Sequence, residues 1–430
     1  MTHSLPLKTF QDVRQCLLAR QEIALLDVRE EASFAQAHPL FAANLSLARI
    51  ELDAWRRIPR LDTEIVVYDD GEGLAQAAAL ALRRLGYSRV SLLAGGLQGW
   101  RDAGGEVFKD VNVPSKAFGE LVESQRHTPS LSAQEVKALL DAQANVVVLD
   151  ARRFDEYQTM NIPGSISVPG AELALRARAL APDPSTRIIV NCAGRTRSII
   201  GAQSLVNAGI PNPVAALRNG TIGWTLEGQA LERGAARRFC EVAPELRALA
   251  ALAARSVADR AGVRRADGAD LARFLAESSR TTYLLDVRTP EEFAVSHLPG
   301  FRSAPGGQLV QETDVTAAVR GARILLSDDD GVRANMSASW LAQMGWEAWV
   351  LDDVAAAELA LAQVGSQPWI AAEPPLSPEA EALASTRAHR YRRPYEGTDN
   401  PREAMQAYLD WEYGLVAQLA RDGTHGFRVI

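Results

Sequence analysis

A cysteine followed within five residues by two arginines marks one short stretch, residues 187–198, RIIVNCAGRTRS. Cys192 stands just after a β-branched apolar run, Ile188 to Val190, and is followed by Ala193, Gly194, Arg195, Thr196, Arg197 and Ser198. Small residues in a tight turn let successive backbone N–H groups point into one concavity, and such a nest binds anions. The same nest favours a thiolate over a thiol, so a lowered thiol pKa is expected, with Arg195 and Arg197 adding positive charge. Cys192 is therefore the candidate nucleophile, and residues 193–198 are the candidate substrate cradle. An inert cysteine at a strand end is the ordinary alternative, but inert cysteines lack this electropositive setting.

The flanking pattern says how the turn is held. Residues 188–190 read as a buried strand. From Ile199 the apolar spacing turns helical, through Ile200, Leu205 and Val206, and Gly209 is a C-terminal stop. A cysteine in a strand-to-helix turn sits where open α/β sheets place their chemistry. The same arrangement occurs three times. LLDVREEASF, VLDARRFDEY and LLDVRTPEEF each end a strand in Asp-x-Arg, at Asp27, Asp150 and Asp286. A second apolar run then ends at Asp69, Cys192 and Asp328, each 42 positions after its Asp. A helical segment and a further short strand follow in every copy. Alternating strands and helices predict parallel βαβ units with helices on both sheet faces. The predicted units span residues 1–112, 128–238 and 262–365, with a tail over 366–430. Linkers are expected through VNVPSKAFGE and through an Ala/Arg-rich helix near residues 245–260. Ser132 is positioned to N-cap the helix before the second Asp-x-Arg strand, with Glu135 completing a capping box.

Composition narrows the classes. The chain has 430 residues, 23% charged and 47% hydrophobic, with a formal net charge of −7. That length predicts several domains, and the acidic balance argues against nucleic acid as a general partner. Three cysteines, Cys16, Cys192 and Cys240, form no CxxC pair and no disulfide framework, which fits a reducing compartment. No basic-then-apolar leader and no apolar run of membrane-spanning length is present, so no membrane partner and a cytoplasmic location are expected.

These motifs resemble the rhodanese-type sulfurtransferases, over roughly residues 5–360. The resemblance rests on the three Asp-x-Arg strand ends, IPG at 162–164, LPG at 298–300, GGLQGW at 95–100, NGTIGW at 219–224 and, most specifically, Cys192 followed after four intervening residues by Arg197-Ser198. It implies three tandem doubly wound α/β units and a cysteine that carries sulfur as a persulfide. It also implies a small anionic sulfur donor such as thiosulfate and a thiol (a protein thiol included) or cyanide as acceptor. No metal and no organic cofactor is implied. In related phosphatases of this fold the loop is one residue longer, so the spacing here favours sulfur. Arg197 is expected to close and orient the loop. Arg195, three residues after the cysteine, is expected to face the mouth and meet the donor.

Departures from the family pattern are equally informative. Unit one has Asp69 at the cysteine position, in DDGEGLA without arginine; unit three has Asp328, in DDDGVRA, where Arg333 matches Arg197. A carboxylate cannot carry a persulfide, so units one and three are expected to be catalytically silent. Unit two has Asn161 before IPG where the family often has the histidine that unit three keeps at His297. The acidic loops read as helix caps rather than a hard-cation site. The Asp-x-Arg pairs read as structural, since silent units keep them. In the tail, AAEPPLSPEAEA reads as a strap. Asn400 is a candidate N-cap, and Tyr408, Trp411, Leu415, Val416 and Leu419 form one helical stripe. HRYRRPYEG is a candidate cover for the Cys192 loop. Two alternatives stay open: a persulfide-relay or regulatory scaffold whose silent units bind a partner, and a cysteine-dependent phosphatase or arsenate reductase.

Overall fold

The computed structural model describes residues 5–363 and 391–430. The strap sequence and His389–Arg390 of the candidate cover lie outside the described residues. Three five-stranded sheets follow one another along the chain, all with parallel pairings. In unit two the strands are Ser130–Leu131, Val146–Asp150, Ile166–Ser167, Arg187–Asn191 and Val214–Leu217. Their spatial order is first, fifth, fourth, second, third, and the same order recurs in units one and three. Helices cover both faces, so the central strands Ile65–Tyr68, Arg187–Asn191 and Arg323–Ser327 are buried almost throughout, and each lacks the alternation of a half-exposed strand. Cys192 stands at the carboxyl end of such a central strand.

Local signals explain the helix starts. The Ser132–Glu135 capping box forms as expected, and Thr9–Asp12 and Asp267–Asp270 cap the equivalent helices of the other units. Each Asp-x-Arg pair folds back on itself. Arg152 donates to Asp150 at 2.9 and 2.7 Å and to the Met160 carbonyl at 2.5 Å. Arg29 and Arg288 do the same, reaching the carbonyls of Ala37 and Ser296. These bridges, buried in units one and two and partly exposed in unit three, tie a strand end to the loop eight residues on, whatever stands at the cysteine position.

The units are not beads on a string. One apolar cluster runs continuously from unit one (Leu26, Ile65) to unit three (Tyr283, Leu326), taking in Phe118 and the C-terminal Phe427. The stretch read as a linker, VNVPSKAFGE, is a helix, Val113–Arg126, whose residues 113–120 are all buried. It is a central strut, and its Lys116 and Glu120 are interior side chains. The second linker forms the helix Pro244–Ala261, as expected.

In the tail, Asn400 is not the N-cap. The helix Arg402–Tyr413 is preceded by Pro401, and the Asn400 amide donates to the Glu396 carbonyl instead. The expected single stripe divides at Gly414 into Arg402–Tyr413 and Leu415–Asp422.

Candidate active site

The Cys192 loop is shaped from outside by a second helix N-terminus. The helix Gly220–Leu226 donates the Thr221 N–H to the Cys192 carbonyl at 2.9 Å and the Ile222 N–H to the Ala193 carbonyl at 3.0 Å. With the carbonyls drawn outward, the loop N–H groups are left to face inward. Gly220 is required there. Its φ is +54°, and a Cβ would stand 2.3 Å from the Cys192 carbonyl oxygen.

The corresponding loops of units one and three show what the inner face grips. Asp69 accepts from the N–H of Gly71 through one oxygen and from Leu74 and Ala75 through the other. Asp328 accepts from Gly331 and Ala334. By the common spacing, the N–H groups that hold Asp69 correspond to those of Gly194, Arg197 and Ser198. In unit two the Ser198 N–H donates to the Cys192 sulfur, and the thiol donates to Ser198 Oγ at 3.5 Å, whose own hydroxyl proton goes to the Arg195 carbonyl at 2.8 Å. All three cradles therefore receive the side chain that ends the central strand.

The thiol itself corrects one expectation. Cys192 is 1% exposed, and burial pushes its pKa up by more than Arg197 and the Ser198 hydrogen bonds pull it down; Glu412 adds to the rise. The nest is present, but desolvation outweighs it.

The two arginines diverge. Arg195 does not face an open mouth. Its guanidinium, 3% exposed, pairs with Glu120 at 2.7 and 2.9 Å and with Glu123, donates to Asn219 and Tyr413, and lies 4.1 Å from the Tyr413 ring centroid. It ties the loop to the central strut and the tail. Arg197 makes two parallel bonds to Glu156, both 2.8 Å. Burial alone would raise the Glu156 carboxyl, but Arg197 brings it down to about 2, so this pair stays ionised. Arg197, with Arg152, Arg153, Arg393 and Tyr395, lines a cavity of about 200 Å³ beside the loop. Thr196 starts the site helix Thr196–Asn207 and approaches the strut so closely that a Cβ on Gly119 would stand 3.0 Å from its methyl group.

The tail covers the loop. Tyr395, Met405, Tyr408 and Leu409 pack with Ala193 and Ile222 in one small apolar cluster. Behind them, Lys116 is fully buried, bound to Asp110 at 2.7 Å and 5.6, 5.0 and 5.4 Å from the rings of Tyr395, Tyr408 and Trp411.

Several of these residues escaped sequence reasoning. Glu156 left a signal: Glu156 and Glu292 both stand six residues after the Asp of Asp-x-Arg, and each pairs with its loop arginine, Arg197 or Arg333. Lys116, Glu120 and Glu412 left none, being polar residues on helices whose partners lie far along the chain. Among the described residues no group of acidic, His or Cys side chains is arranged to hold a metal, and no helix is long and apolar enough to cross a membrane.

A buried cysteine in a strand-to-helix turn, at the carboxyl end of the central strand of a parallel sheet, places the chain among the doubly wound α/β proteins. The family is more specific. The rhodanese-like domain model matches residues 11–103, 132–227 and 269–353, and the chain belongs to the rhodanese-like family as a protein of three such units. Over nearly its whole length it is similar to a thiosulfate sulfurtransferase from Pseudomonas aeruginosa of known crystal structure. The two are 56% identical over 99% of this chain and 100% of that one, with a TM-score of 0.93. Among curated proteins, "Putative thiosulfate sulfurtransferase SseB" of Mycobacterium tuberculosis is 32% identical over 26% of this chain and 43% of its own length. "Putative sulfur carrier protein YrkF" of Bacillus subtilis is 28% identical over 23% and 54%. These two matches thus span only about half of each curated relative.

Proposed function

We propose that the chain is a sulfurtransferase whose unit two moves a sulfane sulfur from thiosulfate, or a related anionic donor, to a thiol or cyanide through a Cys192 persulfide. The observation that carries this reading is the Cys192 sulfur on the Ser198 N–H, whose counterparts in both sister loops, those of Ala75 and Ala334, hold the Asp69 and Asp328 carboxylates. A persulfide presents an anionic outer sulfur to the same donors. The full-length likeness to the P. aeruginosa enzyme supports the donor assignment.

The Cys192 thiolate attacks the sulfane sulfur, the bond to sulfite breaks, and sulfite leaves with the electron pair. The loop N–H groups of Gly194, Arg197 and Ser198 hold the persulfide, and an acceptor thiolate then removes its outer sulfur. Arg197, fixed by Glu156, orients the loop beside a cavity lined by both arginines and carboxylates. Ala193 and Thr196 shape the cradle, and Arg195 braces it. Units one and three carry no sulfur. Arg333 of unit three instead donates to Glu172 of unit two at 2.9 Å, which supports a bracing role for that unit.

Thiocyanate formation from thiosulfate and cyanide is the direct test. Turnover by the wild type and none by Cys192→Ser is expected; equal turnover by both would refute the assignment.

A further inference from the structure

One buried carboxyl above the loop has no role in the chemistry described so far. Glu412, on the tail helix Arg402–Tyr413, is fully buried. Its Oε1 accepts from the Tyr408 hydroxyl at 2.8 Å and faces the Thr196 hydroxyl at 3.5 Å. Its Oε2 has no hydrogen-bond partner among the described residues. That bare oxygen lies 3.3 Å from the place a Cβ on Gly194 would occupy. A side chain at 194 would fill the gap, so the glycine keeps the loop open to the carboxyl. An unsatisfied polar atom in such a place is costly unless it has a use.

We propose that Glu412 hands a proton to the outer sulfur of the Cys192 persulfide and recovers it from the product. The inference rests on the sulfurtransferase reading. An anionic outer sulfur repels an incoming thiolate; a protonated one is an electrophile. Proton transfer from the carboxyl gives Cys192–S–SH and a Glu412 carboxylate. The acceptor thiolate bonds to the outer sulfur, and the bond to the Cys192 sulfur breaks with its electron pair returning to Cys192 as thiolate. The new persulfide, RS–SH, returns its proton to Glu412. One sulfur atom has moved and the proton count is unchanged.

The surroundings keep that proton in place. Burial raises the Glu412 pKa to about 8. Lys116 and Glu120 face it from the strut, Arg195 and Cys192 from the loop and Tyr408 from its own helix. Both cations are already engaged, Lys116 with Asp110 and Arg195 with Glu120 and Glu123. Oε1 takes the donated hydrogen bonds, which leaves Oε2 as the oxygen that carries the proton.

The full-length protein is loaded with thiosulfate, freed of excess donor and mixed with 2-mercaptoethanol at pH values from about 6 to about 10, and loss of the extra sulfur is timed by intact mass. For Glu412→Gln the ratio of discharge to loading rate is expected to fall about 10²-fold, the usual size of a lost general acid. Wild-type discharge should also decline above about pH 8, a limb the variant lacks. Discharge by Glu412→Gln at the wild-type rate, with the same limb, would overturn the inference. If that variant does not fold, Tyr408→Phe serves. Losing the hydroxyl that helps hold Glu412 ionised should move the wild-type limb to higher pH, and an unmoved limb overturns the inference. Failure of the wild type to load any sulfur would instead sink the underlying sulfurtransferase reading.

Discussion

The loops at Asp69 and Cys192 end equivalent strands, sit under equivalent glycine-led helices and both turn the N–H six residues on, that of Ala75 or Ser198, toward the strand-end side chain. In unit one the strand-end side chain is a carboxylate that takes three of those N–H groups. The cradle is thereby filled by the protein itself and serves as a cap. In unit two the side chain is a shorter, softer cysteine, and in the proposed reaction the cradle is left for a substrate anion. Unit three lies between the two. Asp328 fills the cradle, burial with Asp330 beside it raises its pKa, and the matching Arg333 is turned to Glu172, Glu292, Asp329 and Asp330. On the proposed function, one architecture yields a helix cap or a reactive centre according to the single residue at the strand end and the charges around it.

The comparison breaks most sharply under a pair of substitutions. Cys192→Ala should abolish thiocyanate formation and leave thermal stability nearly unchanged. Asp69→Ala should do the reverse, keeping turnover per folded molecule while losing about 1–3 kcal/mol in chemical denaturation, because buried N–H donors lose their acceptor. If Asp69→Ala abolished turnover, or Cys192→Ala cost as much stability as Asp69→Ala, the division of roles would fail. Asp69→Cys sharpens the contrast. Peptide mapping after thiosulfate treatment should find sulfur on Cys192 and none at position 69, since residues 70–75 supply Asp70 and Glu72 but no arginine.

A smaller effect is expected at the arginine. Arg197→Lys replaces two parallel bonds to Glu156 by a point charge and should lower kcat/KM about 10-fold. Arg195→Lys should act mainly on stability, because Arg195 braces the strut and tail; kcat/KM for both variants, with melting temperatures, separates the two roles. The smallest effect is in pH. Because burial raises the Cys192 thiol, its alkylation by iodoacetamide should keep accelerating above the usual thiol pKa of about 8.5. An inflection below neutral pH would mean that the cradle outweighs desolvation.

Much of this was legible in the chain. The equal spacing of Asp27–Asp69, Asp150–Cys192 and Asp286–Asp328 reported three copies of one topology, because the elements between equivalent strand ends are the same. The capping role of Asp69 and Asp328 and the structural role of the Asp-x-Arg pairs were readable too, since each is a local contact within a few residues. Failures came where contacts are distant. Arg195 meets residues 72, 75 and 218 positions away, and no local pattern told it from a solvent-facing loop arginine. The strut Val113–Arg126 reads as a linker in sequence because its Lys116 and Glu120 resemble surface residues until three units and a tail close around them. The thiol pKa was misjudged because sequence shows the charges near a cysteine but not the depth of its burial.

The central claim is that sulfur resides on Cys192 and nowhere else, and intact mass after thiosulfate treatment tests it most directly. The wild type should gain one sulfur atom, lose it again on adding cyanide, and Cys192→Ser should gain none. A folded, reduced wild type that gains nothing, or a Cys192→Ser protein that gains as much as the wild type, would contradict the account.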